Sequence, residues 1–272
     1  MTVYKDHWMV ITDLDGTLLN HDTYDASAAI PIIRQLQSNN IPIIFNTSKT
    51  YKETLKIRQE LDIHDPFIVE NGSCIFFPVD QFPDMPPDTF RRDDYWSVVL
   101  GSPYQQICNI FDVIDTHNSD YTRFSQCTIE QAVKLTGLTK PSVKLAINRE
   151  FSEPVKWHAD ESLLDDFIRQ LKKHSLTAQQ GGRFLHVMGE CSKGRSVQTL
   201  LKYYKNHYKT IILGDSENDA DMLAVADISA VVNSPTSHAL IAKITPDMQS
   251  QMNAPEGWAE AIQKILRNLE RI

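Results

Sequence analysis

Trp8-Met9-Val10-Ile11-Thr12-Asp13-Leu14-Asp15-Gly16-Thr17 is an apolar run that ends in two carboxylates, a glycine and a hydroxyl. Residues two apart on a strand point to the same side, so Asp13 and Asp15 can both face what lies at the strand's end. Gly16 lets the backbone turn sharply there. Two like charges held close are unfavourable unless a cation or a shared proton compensates. The arrangement therefore predicts a divalent metal site with hard oxygen ligands, usable for phosphoryl chemistry. A calcium loop starting at Asp13 would need an acidic residue in its twelfth position, where Tyr24 stands.

Outward from this stretch, residues 8–82 alternate. Strands are expected at 8–14, 41–45 and 67–69, and helices at 26–37 and from the Thr50/Glu53 capping box to residue 61. Residues 74–77 read as a short hairpin partner of the third strand. The alternation resumes near the end with a helix at 193–206 capped by Ser192, a strand at 210–213, a helix at 219–226 and a strand at 228–232. Pro255-Glu256-Gly257-Trp258 then opens an amphipathic helix, 257–269, with a buried indole. This is the pattern of a doubly wound, Rossmann-like parallel sheet.

The middle differs. Pro83, Pro86 and Pro87 punctuate a polar stretch that reads as a linker. Capping boxes Ser102/Gln105 and Thr128/Gln131 open two helices, and Pro141 starts a third. Strands at 155–158, 176–179 and 184–187 surround a helix at 161–174. The expected organisation is an α/β core at 1–82 and 189–272 carrying an inserted α+β cap domain at 83–188.

Composition sets limits. The 272 residues are enough to bury a sizeable core, and 42% hydrophobic with 23% charged residues is ordinary globular composition. A net charge of −8 argues against a general nucleic-acid binder. It leaves room for an anionic substrate, because a metal and a few cations can invert the field in one cleft. No apolar run reaches the roughly 18 residues of a membrane span. The polar start, 1–7, lacks the pattern of a signal peptide. Cys74, Cys108, Cys127 and Cys191 form no Cys-x-x-Cys pair, so zinc and a disulfide scaffold are not expected and small apolar packing is. A reduced, cytoplasmic setting fits.

In a doubly wound sheet, ligands bind at the carboxyl ends of the strands. Four groups are expected at such ends: Asp13 and Asp15, Thr47 and Ser48, Glu70 and Asn71, and Asp215 and Asp219. Lys193 begins the helix before the last of these strands. A carboxylate can attack phosphorus, a second carboxyl can move protons, and a hydroxyl and an amine can hold the remaining oxygens. Period-two alternation puts only one of Thr47 and Ser48 on the site. Asp215 and Asp219 can also cap the helix that follows them. His158 and His186 read as packed or hydrogen-bonded core residues.

Asp13-Leu14-Asp15-Gly16-Thr17, Thr47, Lys193 and Gly214-Asp215-Ser216-Glu217-Asn218-Asp219 resemble, in order and spacing, the four motifs of the haloacid dehalogenase superfamily of phosphatases. The resemblance implies that Asp13 is the nucleophile and Asp15 the general acid/base. Asp13, the backbone carbonyl of Asp15, and Asp215 would hold Mg²⁺, with Asp219 supporting it directly or through water. Thr47 and Lys193 would bind the transferring phosphoryl group.

Thr47-Ser48-Lys49-Thr50, Val69-Glu70-Asn71-Gly72, Arg149-Glu150-Phe151-Ser152-Glu153-Pro154 and Gly181-Gly182-Arg183-Phe184-Leu185-His186 further resemble the mannosyl-3-phosphoglycerate phosphatase family. Cys191-Ser192 departs from it where an acidic residue is expected. The resemblance implies a phosphorylated glycoside as small-molecule substrate, a glycerate phosphate bearing a sugar. Ser48, Lys49, Glu70, Asn71 and Asn218 would contact it, as would Arg149 and Arg183 from the cap, whose planar forks suit carboxylates and phosphates. Arg149 and Arg183 could instead form structural ion pairs, for example with Glu150 or Glu153. The competing functions are a broader sugar-phosphate or sucrose-phosphate-type phosphatase, and a non-catalytic relative that binds a phospho-ligand.

Overall fold

The computed structural model describes residues 7–114, 120–181 and 183–269, so Gly182 and the first six residues lie outside the description. The core elements are β1 (Trp8–Thr12), α1 (Ile30–Ser38), β2 (Ile43–Asn46), α2 (Tyr51–Leu61), β3 (Phe67–Val69), β4 (Cys74–Pro78), β5 (Phe90–Arg92) and β6 (Tyr95–Val99). There follow α3 (Tyr104–Phe111), β7 (Tyr121–Arg123), α4 (Ile129–Thr136), α5 (Lys140–Ala146), β8 (Ser152–Trp157), α6 (Glu161–Lys172), β9 (Leu176–Gln180) and β10 (Leu185–Gly189). The chain then adds α7 (Lys193–Leu201), β11 (Lys209–Gly214), α8 (Ala220–Leu223), β12 (Ile228–Asn233), α9 (Ser237–Ile241), β13 (Met248–Asn253) and α10 (Glu256–Leu269).

Nine strands form one sheet in the order β13-β12-β11-β1-β2-β3-β4-β6-β5. The six strands from β13 to β3 run parallel, and β4, β6 and β5 are antiparallel. Sequence alternation along β1 explains the two helix layers. Trp8 and Val10 join a cluster with Ile33, Leu36, Trp258 and Ile262, whereas Met9 and Ile11 join one with Val197, Leu200, Met222 and Leu240. The fold is thus α/β with helices on both faces. β1 lies between β2 and β11, so the chain leaves it in one direction and returns on the other side. Such a switch point opens a crevice at the strands' carboxyl ends.

The second sheet is antiparallel, in the order β7-β8-β10-β9. One face packs Val155, Leu185 and Val187 against Ile107 and Phe111 of α3 and Phe167 and Leu171 of α6. Helices α4 and α5 make a separate small cluster with Phe124 and Phe184.

Several local expectations need correction. β5 and β6 lie in the large sheet although they fall within 83–188; the prolines at 83–87 mark a loop between two of its strands. The Ser102/Gln105 capping box does not form, because Pro103 occupies the N-cap of α3 and offers no side-chain acceptor. The helix expected to reach residue 206 stops at Leu201. The Tyr203 and Tyr204 side chains pack beneath the sheet from the turn beyond it. His158 is exposed, its ring bonded to Thr122 Oγ1 at 2.9 Å, and so is no core residue. The Thr50/Glu53 and Thr128/Gln131 boxes are both present. Trp258 is fully buried. Cys74 and Cys191 are buried, Cys108 and Cys127 half-buried. Among the described residues no helix is long and apolar enough to cross a membrane.

Candidate active site

The first strand ends at Thr12, one residue before the carboxylates. Two bonds fix that exit. Asp13 N–H donates to the Leu213 carbonyl at 3.0 Å, and the Trp258 indole donates to Thr12 Oγ1 at 3.1 Å. Gly16 then adopts φ +77°, and a Cβ there would come within 2.5 Å of Asp215 Oδ2. The glycine therefore allows both the turn and the close approach of two distant segments.

Asp13 and Asp15 receive different partners. Asp13 Oδ1 lies 2.8 Å from Lys193 Nζ, and Asp219 Oδ1 lies 2.6 Å from the same nitrogen. Lys193 is 0% exposed. Burial alone would lower its pKa, but Asp13 and Asp219 outweigh that and hold the ammonium charged. Asp15 Oδ1 instead pairs with Lys49 Nζ at 2.8 Å. Lys49 lies over the Tyr24 ring, 4.8 Å from its centre. Burial works against its charge too, and Asp15 and Glu53 overcome it.

The third aspartate of the cluster is tied down by hydroxyls. Asp215 accepts from Thr17 Oγ1 at 3.0 Å and from Thr236 Oγ1 at 3.2 Å. Asp219 spends Oδ2 on the backbone N–H groups of Asp215 and Ser216, at 3.0 and 3.1 Å. Burial lifts Asp13 well above the usual carboxylate range; Lys193 opposes this, while Asp219 and Asp215 reinforce it. Burial, then Asp219, push Asp215 up to about 7. Asp13, Asp215 and Asp219 present oxygens all within 4.8 Å of one another. Three buried carboxylates facing one ammonium leave anionic charge uncompensated, and hard oxygen donors so grouped suit a Mg²⁺ ion.

A cavity opens above this cluster between the two sheets. Asp13, Asp15, Ser48, Lys49, Asp215 and Asn218 line it from below, and Arg149, Arg183 and His186 from above. Lys193 and Asp219 are buried beneath the floor and do not themselves line the cavity. Of the hydroxyl pair, Ser48 lines the cavity, while Thr47 is 0% exposed and accepts from Lys49 N–H at 3.2 Å.

The cap-side arginines make no pair with Glu150 or Glu153. Arg149 donates from Nε to the Ala146 carbonyl at 3.0 Å, and from Nη1 to the Ser48 carbonyl at 2.7 Å and to Ser152 Oγ at 3.3 Å. Glu150 pairs with Arg92, and Glu153 with Arg123 at 3.6 Å. Arg183 donates to the Thr136 carbonyl and lies 3.9 Å from exposed Asp22. Both arginines are thus held mainly by carbonyls.

Glu70 and Asn71 lie off the cavity wall. Glu70 is 0% exposed. Its carboxylate accepts from the N–H groups of Glu150 and Phe151, at 3.0 and 3.1 Å, and from Ser152 Oγ at 2.6 Å. It fastens the start of β8 to the loop after β3. Asn71 Oδ1 accepts from Asn218 Nδ2 at 3.3 Å and so supports a residue that does line the cavity.

Sequence reasoning missed His186 as a wall residue. It is 6% exposed, and burial, with Arg149 and Lys193 nearby, lowers its pKa to about 3. The signal was present in period two: Leu185 and Val187 fill the apolar core of the second sheet, so His186 faces the other way.

Residues 10–262 match the family model for haloacid dehalogenase-like hydrolases. The glucosyl-3-phosphoglycerate/mannosyl-3-phosphoglycerate phosphatase of Methanococcoides burtonii is 35% identical over 263 residues, covering 95% of this chain and 97% of that protein. The protein of the same name from Persephonella marina is 34% identical over 268 residues, covering 97% and 98%. A phosphatase of the haloalkanoate enzyme superfamily from Bacteroides thetaiotaomicron superposes with a TM-score of 0.70 at 16% identity, covering 100% of this chain and 99% of that one. A Streptococcus mutans structure gives 0.70 at 19% identity, covering 95% and 98%. The last two are likenesses of fold.

Proposed function

The chain belongs to the haloacid dehalogenase-like hydrolase family, and we propose that it is a Mg²⁺-dependent phosphatase of a glycosyl-3-phosphoglycerate, mannosyl or glucosyl. One observation carries the reading. A buried Asp13–Lys193–Asp219 array lies under a cavity whose opposite wall presents Arg149 and Arg183. The names of the relatives at 34–35% identity supply the substrate class.

In this reading Asp13 attacks phosphorus. The bond to the leaving oxygen breaks as the aspartyl phosphate forms. Asp15 gives its proton to the departing alkoxide, then takes one from the water that attacks the same phosphorus. That second displacement releases inorganic phosphate and restores Asp13. Lys193 orients the nucleophile and offsets charge on the phosphoryl oxygens. Ser48 or Thr47 supplies a hydroxyl to those oxygens. Asp13, Asp215 and the Asp15 carbonyl would hold Mg²⁺. When bound it neutralises charge that spreads over the equatorial oxygens. Asp219, whose oxygens are spent on Lys193 and two N–H groups, would support the residues that hold the ion.

The four-stranded sheet and its helices act as the cap. Arg149 and Arg183 receive the glycerate carboxylate or the phosphate, and Lys49 and Asn218 contact the leaving group from the floor. Glu70 and Asn71 act one step back, through Ser152 and Asn218.

The test is a panel compared by kcat/KM: glucosyl- and mannosyl-3-phosphoglycerate, sucrose phosphate and hexose phosphates. A glycosyl-3-phosphoglycerate is expected to lead the panel. An equal rate on a hexose phosphate overturns the substrate reading in favour of a broader phosphatase. No Mg²⁺-dependent phosphate release from any ester overturns the catalytic reading in favour of a phospho-ligand binder.

A further inference from the structure

His186, the last residue of the Gly181–His186 stretch, lines the cavity but has no part in the reaction as described. It sits on β10, opposite Pro154 of β8 and Gln179 of β9. Its strand neighbours Leu185 and Val187 are packed into the cap's apolar core, so the imidazole is turned to the other face, where it lines the catalytic cavity with Pro154 and Arg149. It is more than nine-tenths buried, and its Nδ1 has no hydrogen-bond partner. A buried polar atom left unpaired costs stability, and such atoms in a native fold call for an explanation.

The site is built around this ring. Gly181 also lines the cavity, and a Cβ on it would fall 2.9 Å from His186 Nε2. The glycine thus leaves the room the imidazole occupies. The surroundings keep the ring neutral: it is shut away from water with Arg149 and Lys193 in its field. A neutral imidazole carries one donor and one acceptor nitrogen. A hydroxyl suits either nitrogen, because it can accept from the N–H one or donate to the other.

We propose that His186 is a specificity-determining residue that hydrogen-bonds a hydroxyl of the leaving group, on the glycerate or on its sugar. The inference rests on the phosphatase reading above. Selection of this kind is effective because a substrate without the hydroxyl leaves a buried polar group unpaired.

The experiment compares three esters with Mg²⁺: a glycosyl-3-phosphoglycerate, 3-phosphoglycerate and p-nitrophenyl phosphate. The readout is the ratio of kcat/KM for each phosphoglycerate to that for p-nitrophenyl phosphate. His186→Phe keeps a ring and removes both nitrogens, and is expected to lower the ratio by about 10- to 100-fold. His186→Gln, which retains a donor and an acceptor, should recover part of it. Gly181→Ala, which must displace the ring, should reproduce the loss. A fall for the glycosylated ester alone puts the contact on the sugar; a fall for both phosphoglycerates puts it on the glycerate. A ratio unchanged in His186→Phe, or equal losses on all three esters, overturns the proposal. A wild-type protein without preference for a phosphoglycerate overturns the functional reading and the inference with it, before any variant is made.

Discussion

On the floor of the cavity Asp13 and Asp15 are locked to Lys193 and Lys49, and buried Asp219 holds Lys193 from beneath, by contacts of 2.6–2.8 Å. On its roof Arg149 and Arg183 are held largely by backbone carbonyls. The difference is chemical. A carbonyl orients a guanidinium without neutralising it, so the roof keeps positive charge for an anionic ligand. The floor satisfies each cation internally and keeps a surplus of anionic charge for a metal. In the proposed reaction one wall takes the phosphoryl group and its ion, and the other what the phosphate is attached to.

Changes to the floor should therefore affect every ester, and changes to the roof should discriminate among them. The largest effect is expected from Asp13→Asn. Loss of the nucleophile should lower phosphate release from all substrates alike by on the order of 10³-fold or more. Retained turnover on any one ester would break the assignment.

Next is Lys193→Met. Removing the one cation between two buried carboxylates should cost about 3–5 kcal/mol of stability, read by thermal unfolding. Added Mg²⁺ should recover more of it than in the wild type, because the uncompensated carboxylates then face only the ion. A variant as stable as the wild type without metal would show that Lys193 does not neutralise the cluster.

Arg183→Ala addresses the roof. It should raise KM for the glycosyl-3-phosphoglycerate by roughly tenfold while altering that for p-nitrophenyl phosphate much less. Equal effects on the two would remove Arg183 from substrate recognition.

A further test is the pH dependence of the metal-free protein. An aspartate titrates near about 3.9 in an unfolded chain, whereas burial and Asp219 push Asp215 up to about 7 in the folded one. Between these values the folded state binds the extra proton. The stability that Asp215 contributes should be fullest below pH of about 4 and be lost as pH rises to about 7. Thermal midpoints measured with a chelator should show that decline, and saturating Mg²⁺ should flatten it.

The legibility of the chain follows the same division. β1, β2, β3 and β11 were readable because both faces of a central parallel strand are buried, which leaves continuous apolar runs. β13 was not. Its sequence, Met-Gln-Ser-Gln-Met-Asn, carries one buried residue at the sheet edge, so neither alternation nor an apolar run marks it. β5 and β6 were overshadowed by the prolines before them, although Ser97 and Val98 are buried in the large sheet. α9 is five residues long, too short for periodicity to show. At the site, the residues whose type alone narrows the chemistry, paired aspartates and a lysine after a helix cap, were readable at their motif spacing. Glu70 and His186 were not, because their types suit many roles.

The α/β alternation, the carboxylate pair ending the first strand, and the lysine and second acidic motif returning to it are all legible in the chain. Those follow from local periodicity and from the cost of placing like charges together, which any short window contains. That Asp13 faces Lys193 while Asp15 faces Lys49 emerges in the folded molecule. So do the fastening of β8 by Glu70, which does not line the cavity, and the placing of His186, which does. The physical reason is that hydrogen-bond and charge partners here are separated by 34 to 180 residues in the chain. Which donor reaches which acceptor is set by the packing of the two sheets, not by neighbours in sequence.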